Sequence, residues 1–451
     1  MARKEKEIVY VCSECGHVES KWIGRCPECG GWNTFNEEKV EGKEEKRQPV
    51  MDDQVRLLSD AVKDDDLFVS SGFDELDRVL GSGVMIPSSV LVGGDPGIGK
   101  STLMLEVLSN LSVEVPPVLY VSGEESPGQI RLRGERLGIR LDKINISCET
   151  RLERLKDIIS KLSPKVMIID SIQTLTSDEI QSPAGSPNQI RTATLSLSLL
   201  AKKIGCAVFF IGHITKDGFI AGPKIIEHMV DTVLYFENAD GGLRLLRAVK
   251  NRFGSVDEIG LFEMSSSGLA GVKDTGGIFL SSREDGEIPP GIAFTPVVEG
   301  SRTFIVELQA LVVPAKSGLQ RIYSDKVEVQ RVMRVAAILE RHAAIKLSDY
   351  DIYVNVRGGL KIRDVSIELP LALALYSSKE NKSIPRDLAS FGELSLAGEV
   401  CQVPFFERKA KAARETGLEK VLCPYGKGIL KSRDIVGVKN IKTALKTAFL
   451  L

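Results

Sequence analysis

Four cysteines fall within the first 29 residues as two knuckles, Cys12-x-x-Cys15 and Cys26-x-x-Cys29, with ten residues between them. Four thiolates suit a tetrahedral Zn2+ ion with bonds of about 2.3 Å. Gly16 and Gly30 follow the two pairs, where a tight turn must offer N–H groups to sulfur and admit positive φ. A segment of about 25 residues cannot build a core without such a staple, so a zinc-binding head is expected. His17, beside the first knuckle, is a spare ligand that four thiolates make unnecessary. Trp22 and Trp32, the two tryptophans of the chain, are expected to pack the hairpin between the knuckles.

A second chemistry lies further on. Gly94-Asp95-Pro96-Gly97-Ile98-Gly99-Lys100-Ser101 fits G-x-x-x-x-G-K-[ST], directly after the apolar run SSVLVGG and directly before the helix-like TLMLEVL. In that setting the glycines let the backbone wrap phosphates, Lys100 reaches the β and γ phosphates, Ser101 binds Mg2+ and the helix N-terminus adds its dipole. ATP with Mg2+ is the expected ligand. Asp170 ends the apolar strand VMIID, the position from which a carboxylate holds the magnesium shell. Glu124 and Glu125 end the strand YVSG, where a base approaches the γ-phosphate; of the two, Glu124 is taken as the base. His213 and Lys216 at the end of AVFFIGH suit a γ-phosphate sensor. Lys250 and Arg252, two residues apart, share one face of a strand and can stabilise transition-state charge across a subunit interface.

The elements needed to position these groups are legible in the pattern. From Leu67, short apolar strands alternate with amphipathic helices such as RLERLKDIISKL and TATLSLSLLAKKIG, which argues a largely parallel α/β sheet. After about residue 275 the pattern becomes mixed α+β. The expected domains are a C4 zinc-binding head at 1–36, a charged linker at 37–66, an ATPase domain at 67–274 and a tail domain at 275–451. The 451 residues match about three domains at roughly 150 residues each. No run of 18 apolar residues and no apolar leader is present, so a cytoplasmic protein without membrane contact is expected. The net charge of −2 leaves any nucleic-acid surface to local patches. Cys148, Cys206, Cys401 and Cys423 are expected to be small core residues, and His228 and His342 have no partner in the pattern.

The order of the C4 head, SGFDELDRVLGSGV, GGDPGIGKS, YVSGEES, IIDSIQ, IGHITKDG, IAGPKIIEHMVDTVLYFE and KNRFG resembles the RadA (Sms) family of bacterial DNA repair proteins, over essentially the whole chain. The resemblance implies a RecA-like P-loop ATPase core that forms a hexameric ring on single-stranded and branched DNA. It further implies branch migration of recombination intermediates beside the RecA recombinase. Under it, Lys250 and Arg252 belong to the KNRFG motif of DNA-coupled function, and the loop from Lys216 to Lys224 faces the central channel.

The tail resembles the Lon protease domain, an α+β fold of the ribosomal S5 domain 2-like type. A Lon-type peptidase needs a serine nucleophile and a lysine base. Laid on that pattern, Ser366 stands at or near the nucleophile position and Glu407 stands where the lysine belongs. Lys409, two residues on, is expected to face another direction on its helix, so a protease fold without proteolysis is expected. Arg408, Lys409, Lys411 and Arg414 are expected to form a basic patch. One stretch departs from the family: YSDKVEVQR has Tyr323 or Ser324 at the usual glycine. Two other readings stand beside the DNA motor, an ATP-dependent Lon-like protease and a partner-regulated KaiC-like ATPase.

Overall fold

The computed structural model describes residues 7–40, 68–212, 225–266, 268–273, 277–281, 283, 288–316, 320–426 and 434–450. The head is an antiparallel sheet ordered β2-β1-β3, from β1 (Glu7–Cys12), β2 (Val18–Glu19) and β3 (Phe35–Val40). Its buried cluster is Cys12, Cys26 and Phe35, so two of the three core side chains are the cysteines themselves. The tryptophans depart from expectation. Trp22 is 52% and Trp32 69% exposed, because the cysteine cluster fills the interior and leaves them flanking Gly24 from outside.

The chain divides into two compact units, one comprising Met1–Glu237, the head included, with Arg244–Gly271 and the other Asn238–Leu243 with Val272–Leu451. In the first, a ribbon of β4 (Phe68–Val69) and β5 (Val84–Met85) brackets α1 (Asp74–Leu80). There follow β6 (Ser88–Gly94), α2 (Lys100–Glu114), β7 (Val118–Ser122), α3 (Pro127–Leu137), β8 (Ile144–Ser147), α4 (Leu152–Leu162), β9 (Val166–Asp170), α5 (Pro187–Ile204) and β10 (Ala207–Ile211). The unit closes with α6 (Ile225–Met229), β11 (Thr232–Asn238), β12 (Leu243–Asn251), β13 (Ile259–Ser265) and β14 (Gly268–Gly271).

These strands form one nine-stranded sheet ordered β14-β13-β12-β11-β6-β10-β9-β7-β8. From β11 to β8 every neighbouring pair is parallel. Strands β6, β7, β9 and β10 are buried along their whole length, as a parallel sheet covered on both faces requires. One face carries the cluster of Val90, Val92, Leu105, Tyr120, Ile168 and Phe209, the other that of Leu91, Val121, Ile169, Leu197 and Phe210. Helix α4 shows why its sequence is helical: Leu152, Leu155 and Ile159 recur on one stripe and are buried. Helix α3 starts at a capping box of Ser126 and Gln129 with Pro127 in its first turn. The parallel strands β6, β7 and β9, which deliver the P-loop, Glu124 and Asp170, thus all end on one side of the sheet, at the carboxyl ends of its strands, where α/β folds bind ligands.

The second unit runs β15 (Ile292–Glu299), β16 (Arg302–Pro314), β17 (Ile322–Ser324), α7 (Val329–Ala343), β18 (Tyr350–Val356), α8 (Glu368–Glu380) and β19 (Leu388–Ser390). It continues with β20 (Glu393–Leu394), β21 (Val400–Cys401), α9 (Phe406–Glu415), β22 (Lys420–Pro424), β23 (Ile435–Val438) and α10 (Ile441–Ala448). Its main sheet is ordered β17-β18-β16-β15-β19-β22-β23. Helix α8 is apolar on nearly every side and correspondingly buried from Glu368 to Leu375. At the departing YSDKV stretch, the Tyr323 ring of edge strand β17 stacks on Tyr353 of β18 at 4.8 Å.

Cys206 and Cys423 are buried, but Cys148 is exposed and Cys401 half-buried, because they lie beside the edge strand β8 and in the short ribbon β20-β21. Among the described residues no helix is long and apolar enough to cross a membrane.

Candidate functional site

Between β6 and α2 the backbone takes positive φ at Gly94, Gly97 and Gly99. A Cβ at Gly94 would stand 2.6 Å from the Phe236 carbonyl oxygen, and at Gly99 the φ of 110° strains any residue with a side chain, so both positions favour glycine. Ile98 anchors the loop in the core while Asp95, Pro96 and Gly97 face solvent. Ser101 sits half-buried in the first turn of α2. Lys100 is buried, and its Nζ donates to the carbonyls of Gly94 (2.6 Å) and Asp95 (2.9 Å). Burial lowers its pKa, while Asp170, Asp95 and Glu124 push it back up. The four charges therefore share one field.

Asp170 ends β9, buried, and its Oδ2 accepts the Tyr120 hydroxyl at 2.5 Å. The neighbouring Ser171 hydroxyl donates to Glu124 Oε1 at 2.5 Å. Glu125 is engaged elsewhere, in an ion pair with Arg133 of α3. Of the two adjacent carboxylates, Glu124 is the one whose charge acts on Lys100. Sequence reasoning missed three supporting residues: Tyr120, Ser171 and Arg244, whose Nη1 donates to the Ile98 carbonyl at 2.5 Å. Only Tyr120 left a signal, a phenolic hydroxyl in the middle of the apolar run VLYV. Arg244 is 146 residues from its partner. His213, Lys216 and Lys224 lie outside the described residues.

In the head, Cys12 Sγ lies 3.7 Å from Cys29 Sγ and Cys15 Sγ 3.3 Å from Cys26 Sγ. All four sulfurs fall within 4.8 Å of one another. A tetrahedron with zinc–sulfur bonds of about 2.3 Å has edges of about 3.8 Å, so the donor set fits zinc in number, type and spacing. His17 turns its Nε2 to Glu19 at 3.0 Å, away from ligand duty. Elemental analysis should return about one zinc per chain, falling below about a tenth of that in Cys26→Ser. Iron in its place would overturn the assignment.

The tail overturns one expectation outright. Glu407 is exposed, and it is Lys409, 1% exposed, whose Nζ lies 2.7 Å from Ser366 Oγ. Successive helical residues turn by about 100°, so Lys409 stands with Phe406, Ala410 and Ala413 on the inward stripe while Glu407 points out. The same Nζ donates to the Pro296 carbonyl at 3.3 Å and forms an ion pair with Asp364. Burial lowers the Lys409 pKa, against the opposing pull of Asp364. Burial raises the Asp364 carboxyl, but the Lys409 charge and hydrogen bond together with the hydrogen bonds from Ser366 outweigh it and hold the carboxyl below its usual range. Asp364 also receives the Ser366 N–H, and Arg331 donates to the carbonyls of Asp364 and Arg363. Ser366 is fully buried.

Family models match three stretches: Rubredoxin metal binding domain at residues 10–37, AAA domain at 53–218 and Subunit ChlI of Mg-chelatase at 323–427. DNA repair protein RadA of Treponema pallidum is 44% identical over 430 residues, covering 94% of this chain and 93% of the relative. The proteins of the same name from Pseudomonas aeruginosa and Bacillus subtilis are 40% and 39% identical and cover 97–98% of this chain and 98% of theirs. This chain belongs to the RadA family of DNA repair proteins. A KaiC-like protein of Pyrococcus horikoshii is similar at a TM-score of 0.39 and 20% identity, covering 46% of this chain and 99% of that one.

The RadA-family chain thus has a zinc-binding ribbon, a RecA-like ATP-binding domain and a Lon-like tail. Its KNRFG segment is partly structural. Lys250 Nζ donates to the carbonyls of Glu227 (2.9 Å), His228 (3.3 Å) and Val230 (2.6 Å), capping the end of α6. Asn251 Nδ2 holds the carbonyls of Val79 and Leu80 at the end of α1, each at 3.1 Å. Arg252 is 62% exposed, with Asp231 3.6 Å away. The expected basic patch on α9 is also smaller than its sequence. Lys409 is inside, Arg408 donates to the Gly300 and Arg302 carbonyls, and Lys411 and Arg414 remain outward-facing.

Proposed function

We propose that this chain is a DNA-dependent ATPase that assembles as a homo-hexameric, helicase-like ring and promotes branch migration of recombination intermediates beside the RecA recombinase. The observation that carries the ATPase part is the cluster of Lys100, Asp170 and Glu124 at the carboxyl ends of the parallel strands. The loop Gly94–Ser101 holds the phosphates, Asp170 with Ser101 holds the Mg2+ shell, and Glu124, kept in place by Ser171, orients and deprotonates the attacking water. Mg2+ held by Ser101 and Asp170 would supply the charge that neutralises the developing phosphate. Within the ring, Lys250 and Arg252 lend positive charge to the neighbouring subunit's nucleotide. Arg252 is the readier of the two, since Lys250 must first leave three carbonyls. The ring, the DNA substrate and the recombinase rest on family membership.

The Ser366–Lys409 distance favours a second reading, an ATP-dependent peptidase. A general base needs a free lone pair, and the three protons of the Lys409 ammonium are committed to Asp364, Ser366 and Pro296. We therefore infer that the tail is proteolytically inactive, through Asp364 rather than through Glu407. Steady-state ATP hydrolysis should rise several-fold with single-stranded DNA and not with unfolded casein, which should stay intact. Casein stimulation with Ser366-dependent cleavage would establish the peptidase instead, and stimulation by neither would favour a partner-regulated ATPase.

A further inference from the structure

The side chain of Tyr120 extends along the face of the sheet that carries α2. Strand register sets Tyr120 opposite Ile168 and Ser122 opposite Asp170, so Tyr120, Ile168 and Asp170 share one face. The ring is fully buried in the apolar cluster that also holds Leu105, Ile168 and Phe209, and a phenylalanine would fill that space equally well. What a phenylalanine lacks is the hydroxyl, which reaches one strand residue pair onward to Asp170 Oδ2 at 2.5 Å. A fully buried phenol needs a polar partner, and here that partner is the carboxylate proposed for the metal shell.

An aspartate's terminal torsion is broad and two-fold, so its carboxylate plane is set by its partners rather than by its own rotamer. The Tyr120 hydroxyl holds one oxygen, Oδ2, of a carboxylate whose charge also acts on Lys100. Arg133, close enough to act electrostatically on Tyr120, is itself held by Glu125. Glu125 thereby has a place behind the phenol, distinct from that of Glu124 at Ser171.

We propose that Tyr120 is a positioning residue that fixes the plane of Asp170 and so sets the affinity of the site for Mg2+. The inference rests on the ATPase reading above.

Tyr120→Phe removes one oxygen and keeps the packing. The Mg2+ concentration giving half-maximal ATP hydrolysis should rise about tenfold, the effect of one lost hydrogen bond to a charged group. The rate at saturating Mg2+ should stay within about threefold. Binding of a fluorescent ATP analogue in EDTA and the melting temperature should not change. In an Asp170→Asn background, where hydrolysis is lost, the Mg2+ dependence of analogue binding should be the same with Tyr120 or with phenylalanine. Identical Mg2+ curves for wild type and Tyr120→Phe would overturn the inference and leave the ATPase reading intact. A parallel fall of rate and melting temperature with no shift along the Mg2+ axis would also overturn it, in favour of a packing role. A wild-type chain that neither hydrolyses ATP nor binds the analogue in a Mg2+-dependent way would overturn the ATPase reading and this inference with it.

Discussion

Lys100→Ala should lower steady-state ATP hydrolysis at least about 100-fold, a loss of about 2.7 kcal/mol in transition-state stabilisation, while the fold survives with an unchanged or slightly raised melting temperature. The two halves of that expectation have separate causes. The ammonium is the buried cation of the loop, directed at the Gly94 and Asp95 carbonyls in a position from which it can turn to the β and γ phosphates. No other basic side chain donates to those two carbonyls among the described residues, so no neighbour replaces it. Stability responds in the other direction. Burial lowers the Lys100 pKa below the usual lysine value, so the charged form sits in the folded loop at a cost. Alanine at the first turn of α2 relieves that cost, removes a cation from a helix N-terminus and retains high helix propensity. Hydrolysis and thermal melting of one preparation check both halves. Activity above about a tenth of wild type would dissolve the assignment, because every other group in the site acts on phosphates that Lys100 is proposed to hold.

What could be read in advance follows from whether a feature is local. The cysteine knuckles, the P-loop and the strand-end Asp170 are each carried by contiguous residues whose spacing and context are enough, and the structure brings the sulfurs, and separately Lys100 and Asp170, together as expected. The adjacent Glu124 and Glu125 differ in partners that the local sequence does not announce, Ser171, 47 residues on, and Arg133. Nothing in KNRFG announces the three carbonyls at the end of α6 that Lys250 holds. The Lys409 error is of another kind. Laying the chain on a family pattern missed by two residues, although the spacing of Phe406, Ala410 and Ala413 marked the inward face of α9 and set Lys409 on it. Helical period is a physical constraint and registers better than motif position where flanking residues have drifted.

Removing Lys409 should be the most destabilising single change in the tail. Lys409→Met leaves the Asp364 carboxylate inside the second unit without its counter-ion, and breaking a buried pair from one side costs about 3 to 5 kcal/mol. Ser366→Ala removes one of three acceptors of the same ammonium, and about 1 kcal/mol is expected. The pH dependence supplies the sign. In the wild type, Lys409 holds Asp364 below the usual carboxylate range, so the pair's contribution is present above the unfolded value of about 3.9 and disappears as pH falls through the lower folded value. In Lys409→Met the opposing charge is gone, burial outweighs the remaining Ser366 hydrogen bonds, and the carboxyl shifts upward. The folded variant then binds a proton more tightly than the unfolded chain, so its deficit relative to wild type should shrink as pH drops from about 7 toward about 4.5. Denaturant unfolding across that range, read on the tail's far-ultraviolet signal, checks both slope and size. The double change Lys409→Met with Asp364→Leu should recover most of the loss, since an apolar pair of similar volume replaces a buried ion pair at little cost. A peptidase would behave differently: Ser366→Ala would abolish a cleavage activity, and stability would be the lesser effect. A deficit under about 1 kcal/mol for Lys409→Met, or one independent of pH, would show that water reaches the pair and that Asp364 does not hold the lysine.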